Sequence, residues 1–397
     1  MRIERNLKLM TAYTASTNAM FIVAVVVPFY AQAMGLSFQD FLIAEACFAA
    51  TVVVMEVPMG WLSDQWKRKN TLALGSVVHL IGYSCLFGDS LFWAVLGQSI
   101  IGVGLSFISG TNVAMIYDSL LSVGRESEYR RNEGKRSATA FYCVALASMA
   151  SGVLFKVDIH LPLVMTMVFS AVSVVCALMM DEPERHRVRP EKHPLADMAA
   201  TTHYALRGNA EVGLIILFAA TLFCSTKLLM WSQQPYYTAI GLDESLFGVL
   251  MAGGFLLAGV SSHLAHLLDG KIGNLQMLAL TWVVALLVAV LAGAHQGLAG
   301  VALLMVGGSC LYGLANPRVS EAINRRVDSS RRATVLSTQG LVTSLFFVPT
   351  SLAVGAVNDH YGVSGGLLAI ACWLAVAGVL LSLLLVNKDR RNRLLML

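Results

Sequence analysis

Long apolar runs alternate with short polar ones along the whole chain. A helix rises about 1.5 Å per residue, so a run of roughly 20 apolar residues crosses the hydrocarbon core of a bilayer. Twelve such spans are predicted, at 10–33, 39–62, 71–89, 92–120, 138–157, 161–180, 212–238, 245–268, 274–294, 299–322, 334–357 and 364–386. Short segments of period-2 alternation, which a β-barrel would need, are absent. The expected fold is an all-α membrane protein of twelve transmembrane helices in two six-helix halves.

Positive charge orders these spans. With the N-terminus inside, 25 of the 28 Lys and Arg fall on cytoplasmic segments. The other three are Lys156 on the outer side and Lys227 and Arg318 within spans. One missed or invented helix would scramble this alternation, so both termini are expected in the cytoplasm. The first span is too long for a signal-peptide core and is expected to be retained.

Composition agrees. The chain is 56% hydrophobic and 13% charged, whereas a soluble protein carries about a quarter charged residues. The net charge of +4 therefore reflects membrane topology, and no nucleic-acid partner is implied. All seven Cys lie in predicted spans, without a CxxC pair or metal-ligand spacing, so neither metal nor cofactor is expected.

The hydrophilic stretch 181–211, beginning "DEPERHRVRPEKHP", is too short for a core of its own and reads as a cytoplasmic linker. It separates an N-terminal half, 1–180, from a C-terminal half, 212–397. A faint repeat relates the two. "KRSAT" ends at Thr139 opening the fifth span, and "SRRAT" ends at Thr334 opening the eleventh. Asp64 after the second span is echoed by Asp269 after the eighth. Duplication is favoured.

"EVPMGWLSDQWKRK", Glu56 to Lys69, places an Asp at the cytoplasmic end of the second span, just before three cations. The C-terminal end of a helix already carries about half a negative charge, so Asp64 needs a cation or another helix's N-terminus. Arg68 and Lys69 lie one turn on. Gly60 and Ser63 are small enough for a neighbouring helix to approach closely.

"GWLSDQWKRK" resembles the loop signature G-x-L-A-D-R-x-G-R-K of the major facilitator superfamily. Gly60, Leu62, Asp64, Arg68 and Lys69 match; Gln65 and Lys67 depart from it. With Glu56, Val57 and Pro58 ahead, it is similar to the version seen in bacterial efflux-type members. "YDSL" at 117–120 and "RATVLS" at 332–337 add to the likeness. The resemblance implies alternating access in a bacterial inner membrane, by a chain functional as a monomer. It also implies gating roles for Gly60, Asp64, Arg68, Lys69 and Asp118, with Asp64 docking against the eleventh span. The proline-bearing fifth-span signature of proton-driven drug exporters is missing, and Gln98 stands where those exporters often have Arg.

Ionisable residues inside a bilayer are costly unless paired or facing water, so each is a functional candidate. Glu45 and Glu56 lie eleven residues apart, within about 20° of one helical face. Both are proton-coupling candidates, Glu56 alternatively a structural ion pair. Lys227 shares a face with Phe223, Trp231 and Gln234, which suits the wall of a cavity for an anionic or amphiphilic substrate. Pairing with an acid only to hold the halves together is the competing reading. Arg318 is a further cavity candidate; being three residues from Glu321, it could instead pair within its helix. Thr11, Thr14 and Asn18 form a polar stripe on the first span, with Asn18 the cavity candidate. His79, His263 and His266 are expected to be core residues.

No G-x-x-x-x-G-K-[ST] or H-E-x-x-H is present. "GVSGG" at 362–366 fits G-x-S-x-G only formally, because it falls between two spans. The reading is a secondary active transporter and not an enzyme, exporting a small amphiphilic or chelator-like molecule (drug, metabolite or siderophore type) against proton entry. Proton-coupled uptake is the alternative. An intramembrane enzyme or lipid-handling protein is more remote, since no nucleophile–base set converges.

Overall fold

The structure is a computed structural model describing residues 3–183, 202–203, 209–265, 273–327 and 332–385. These residues form helices and connections, with no strand among them. The chain separates into two compact units. The first is Met1–Pro194 with Glu244–Ala252, and the second is Leu195–Asp243 with Gly253–Leu397. Most of the linker 181–211 lies outside the described residues, as do Asp269 and His266.

In the first unit, α1 (Ile3–Thr17) and α2 (Val26–Met34) together make the first span, joined by a 3-10 turn at Phe21–Val25. Then come α3 (Phe38–Gln65), α4 (Arg68–Cys85), α5 (Leu91–Ile108), α6 (Thr111–Leu121), α7 (Tyr129–Val157) and α8 (Leu161–Met179). Ser37 starts α3 through a reciprocal box. Its Oγ accepts from the Asp40 N–H, and its own N–H donates to the Asp40 carboxylate. The fourth span is broken at Gly110, whose φ of 73 is a left-handed conformation open to glycine.

The α4–α5 pair packs through glycines. A Cβ on Gly82 would sit 2.9 Å from the Gly97 carbonyl oxygen, and one on Gly104 would sit 2.9 Å from that of Gly75. Bare backbones therefore meet, the usual device where lipid removes the hydrophobic drive for helix association. Toward the N-terminus of α1, Met10, Tyr13, Leu72, Met115, Leu120 and Ala177 form a buried cluster. The Tyr13 hydroxyl accepts from Ser76 Oγ and donates to the Leu72 carbonyl, so the polar tip is satisfied.

The remaining helices are α9 (Ala210–Trp231), α10 (Gln233–Ala239), α11 (Phe247–Leu264), α12 (Asn274–Ala294), α13 (Leu298–Met305), α14 (Leu311–Asn324) and α15 (Arg332–Leu385). Asn209 caps α9 by accepting the Val212 N–H. Between α13 and α14 the tenth span widens into a π-turn at Val306–Cys310. The first residues of α11 pack in the first unit. Gly248 lies so close to α7 that a Cβ would overlap the Ser148 carbonyl oxygen.

Among the described residues, ten helices are long and apolar enough to cross a membrane. The last of them breaks at Gly362 (φ 74), giving the eleventh and twelfth spans. The third, α4, falls short in apolarity because its first turn holds Arg68, Lys69 and Asn70. Helices thus occupy every predicted span, but several boundaries move. Only Trp66 and Lys67 separate α3 from α4, so the expected basic loop is a two-residue joint with Arg68 and Lys69 in a helix's first turn. Likewise α7 starts at Tyr129, which puts "KRSAT" inside a helix. Its charges pair along the helix, as Arg136 does with Glu133 at 2.6 Å.

Candidate functional site

The α3–α4 joint gathers the expected gating residues around one guanidinium. Arg68 Nη1 donates to Asp64 Oδ1 and to Ser63 Oγ, both at 2.9 Å, and Arg68 Nε donates to Asp118 Oδ2 at 3.1 Å. Thr111 Oγ1 donates to the same Ser63 hydroxyl at 2.8 Å, which ties in the start of α6. Asp64 therefore has its cation. The two carboxylates are unlike: the Asp118 side chain is 15% exposed and that of Asp64 64%. A charge-assisted bond gains strength where water is excluded, so the Asp118 arm is the stronger.

One expectation changes here. A Cβ built on Gly60 meets no described atom within 4 Å, so no described helix presses against it. Ser63 is the small residue at a contact, buried and bonded to both neighbours. Sequence reading also missed Glu182. One carboxylate oxygen accepts the backbone N–H of Arg68 at 2.8 Å, and the other accepts that of Lys69 at 3.1 Å. These are unsatisfied donors of a helix N-terminus, where the dipole favours an anion. Nearby, the Asn6 side chain donates to the Asp181 carbonyl and accepts the Asp181 N–H, each at 2.8 Å. The end of α8 is thereby locked to α1. An Asp-Glu-Pro run after an apolar span was the available signal.

The two acids of α3 part company. Glu45 is 5% exposed, whereas Glu56 is exposed and, among the described residues, makes no ion pair. Their angular positions agree, but the face is covered only along part of its length. There α5 fits closely, with Gly102 against the Phe48 carbonyl and Thr51. Buried near Glu45 are Tyr30 on α2 and Gln98 on α5. Neither carries a sequence signal beyond being polar in a span.

In the second unit, Lys227 Nζ lies 4.1 Å from the centroid of the Phe347 ring, a cation–π contact. Trp231 is 7% exposed and Gln234 1%, while Phe223 packs on Tyr312 with centroids 5.1 Å apart. A one-residue turn at Ser232 separates α9 from α10 but keeps right-handed dihedrals (φ −70, ψ −12). Next to it, Gln233 Nε2 donates to the Leu304 carbonyl beside the π-turn, and Tyr237 donates to Gln233 Oε1. π-Turns inside helices are frequent at functional sites.

Two further cavity candidates each make a contact to a backbone carbonyl. Asn18 folds back so that its amide donates to the Thr14 carbonyl at 2.9 Å, closing the end of α1. The stripe divides accordingly, with Thr11 exposed and Thr14 buried. Arg318 is 3% exposed and donates to the Ala265 carbonyl at 3.1 Å. The Glu321 carboxylate, its expected intrahelical partner, is taken by Arg325 at 2.6 Å, four residues on. His79 is buried against Tyr83, as expected of a core residue, whereas His263, for which the same was expected, is exposed. "GVSGG" surrounds the helix break at Gly362, and its Ser364 hydroxyl accepts from Gln296.

A bundle of apolar helices holding acids and cations inside its spans defines a multi-pass membrane protein. The sequence model of the Major Facilitator Superfamily matches residues 9–326, and the chain belongs to that superfamily, whose members are transporters and not enzymes. The uncharacterized MFS-type transporter YxaM of Bacillus subtilis (strain 168) is 22% identical over 351 residues, covering 85% of each chain. Among solved structures, a point mutant of the nucleoside transporter NupG superposes with a TM-score of 0.79 at 14% identity. That match covers 96% of this chain and 99% of that one. A bacterial homolog of the human lysosomal transporter Spinster gives 0.76 at 16% identity, covering 96% of both chains. At such identities the likeness establishes the fold.

Proposed function

We propose that this transporter exports a small amphiphilic or chelator-like molecule against proton entry, with Glu45 as the proton carrier. The observation that carries the reading is a carboxyl side chain buried inside a membrane span, at 5% exposure, on a helix packed with α2 and α5. A buried acid is tolerable when it can exchange between neutral and charged forms as its surroundings change. The sequence has no nucleotide-binding loop, so uphill transport draws on an ion gradient. The Glu-Val-Pro-Met-Gly stretch supports export, through its likeness to efflux-type members.

Asp64, Arg68, Lys69 and Asp118 act in gating. Their charges sit where a two-residue joint lets α3 and α4 shift, and the Arg68 bonds must be remade for that shift to occur. Lys227, over Phe347 and near Trp231 and Gln234, supplies a cation for the anionic part of a substrate. Glu56, exposed in its span, is the second candidate for proton exchange. The protein works as a monomer in the inner membrane.

The test is transport in proteoliposomes with an imposed pH gradient, reading internal pH against a panel of amphiphilic drugs, chelators, nucleosides and peptides. Substrate movement opposite to the proton supports export. Movement with the proton makes this an uptake symporter. A gradient-independent flux that leaves internal pH unchanged overturns proton coupling.

A further inference from the structure

Tyr30 is fully buried within the first unit, with the Gln98 amide and the Glu45 carboxylate near enough to act on its hydroxyl. Even so, no described atom meets it in hydrogen-bonding geometry. An orphaned hydroxyl at full burial costs free energy unless a partner arrives. The ring itself is well held, edge-on to Phe41 with centroids 5.3 Å apart, and Phe29 lies at 6.4 Å. Packing therefore fixes the ring, and with it the hydroxyl, within electrostatic reach of an acid one helical turn beyond Phe41.

We propose that Tyr30 and Gln98 are positioning residues for Glu45, forming with it a three-residue proton site in the N-terminal half. The proposal rests on the reading of Glu45 as proton carrier. When Glu45 gives up its proton, the Tyr30 O–H and the Gln98 N–H donate to the carboxylate. When the carboxylate takes a proton, it becomes a neutral acid that no longer needs both donors. The Tyr30 hydroxyl then returns to the unengaged arrangement seen here. No other bond is made or broken, and the proton comes from and returns to water.

The other described titratable groups on the elements packed around Glu45 are these. On α3 itself they are Asp40, which caps the helix, Cys47, Glu56 and Asp64. The α5 helix carries none. On α2, Tyr30 is the one such side chain; Glu244 bonds Gln32, and His160 lies against Phe29. On α4, His79 and Tyr83 pack together, with His79 against Gly104.

Infrared titration of the full-length protein in proteoliposomes tests this without a known substrate. The expected result is a carboxylic C=O band that titrates in the wild type and is missing in Glu45→Gln. Removing one donor should make the carboxylate harder to ionise, so its midpoint should rise by about one pH unit, a tenfold change in proton affinity, in Tyr30→Phe. Gln98→Leu should shift it the same way and provides a second, independent variant. Tyr30→Phe keeps the ring and its packing, and a thermal melt confirms folding. A Glu45 band whose midpoint is unchanged in both variants overturns the inference and leaves the proton-carrier reading standing, even if the variants melt earlier. A band that persists in Glu45→Gln overturns that reading and the inference together.

Discussion

Glu182 holds the start of α4 from 114 residues away, accepting the Arg68 N–H with one carboxylate oxygen and the Lys69 N–H with the other. Those two residues also belong to the charged joint after α3. The end of the sixth span therefore sets the position of that joint. Glu182→Ala should lower stability by about 1 kcal/mol, as loss of a helix cap does. Glu182→Gln, with one acceptor left, should recover part of it. Thermal unfolding in detergent, followed by tryptophan fluorescence, checks both; equal loss in the two variants would argue against the cap.

Asp118 and Asp64 share Arg68 but differ in exposure. Asp118→Asn should destabilise by roughly 1–3 kcal/mol because it weakens a partly buried charge-assisted bond. Asp64→Asn should cost less than about 1 kcal/mol, as exposed pairs do. In transport the order should invert if Asp64 acts in gating, because a gating residue affects cycling more than folding. Flux through Asp64→Asn should then fall steeply while substrate affinity changes by less than about tenfold. Full transport by that variant would remove Asp64 from the gate.

Lys227 and Phe347 should be energetically coupled. A double-mutant cycle with Lys227→Met and Phe347→Leu should return about 0.5–2 kcal/mol of interaction in thermal or chemical unfolding. Additive single effects would mean the cation draws its stability elsewhere.

Two glycines of α11 should respond oppositely to one methyl group. Gly248→Ala drives Cβ into the Ser148 carbonyl, which is backbone and cannot step aside, so expression of folded protein should collapse. Gly259→Ala meets no described atom within 4 Å and should be neutral or stabilising by up to about 1 kcal/mol. Size-exclusion profiles and melting temperatures of the pair separate packing from helix propensity.

Both termini are expected inside the cell. In a background lacking the native cysteines, single Cys residues at Arg2 and Leu395 should resist an impermeant thiol reagent in whole cells. They should react once the membrane is opened. Labelling of intact cells would overturn the orientation.

The helical, many-span character of the chain was legible because a span needs only its own apolar length, a property local in sequence. The same holds for Asp64 with Arg68, four residues apart and bonded at 2.9 Å. Other features depended on residues far apart in the chain. Asp118 reaches Arg68 across 50 residues, and Glu182 reaches it across 114. No periodicity encodes which helix end faces which. Helical spacing put Glu45 and Glu56 on one face, but the cover supplied by α5 decided that only Glu45 is buried. Arg318 sits within pairing distance of Glu321 in sequence, yet Arg325 competes for that carboxylate and the Ala265 carbonyl receives the guanidinium. The sequence alone determined a helical membrane transporter of this superfamily, since spanning length, charge bias and the loop signature are read along the chain. Tertiary packing alone decided which polar groups are buried, because burial and hydrogen-bond partners come from neighbouring helices rather than from neighbouring residues.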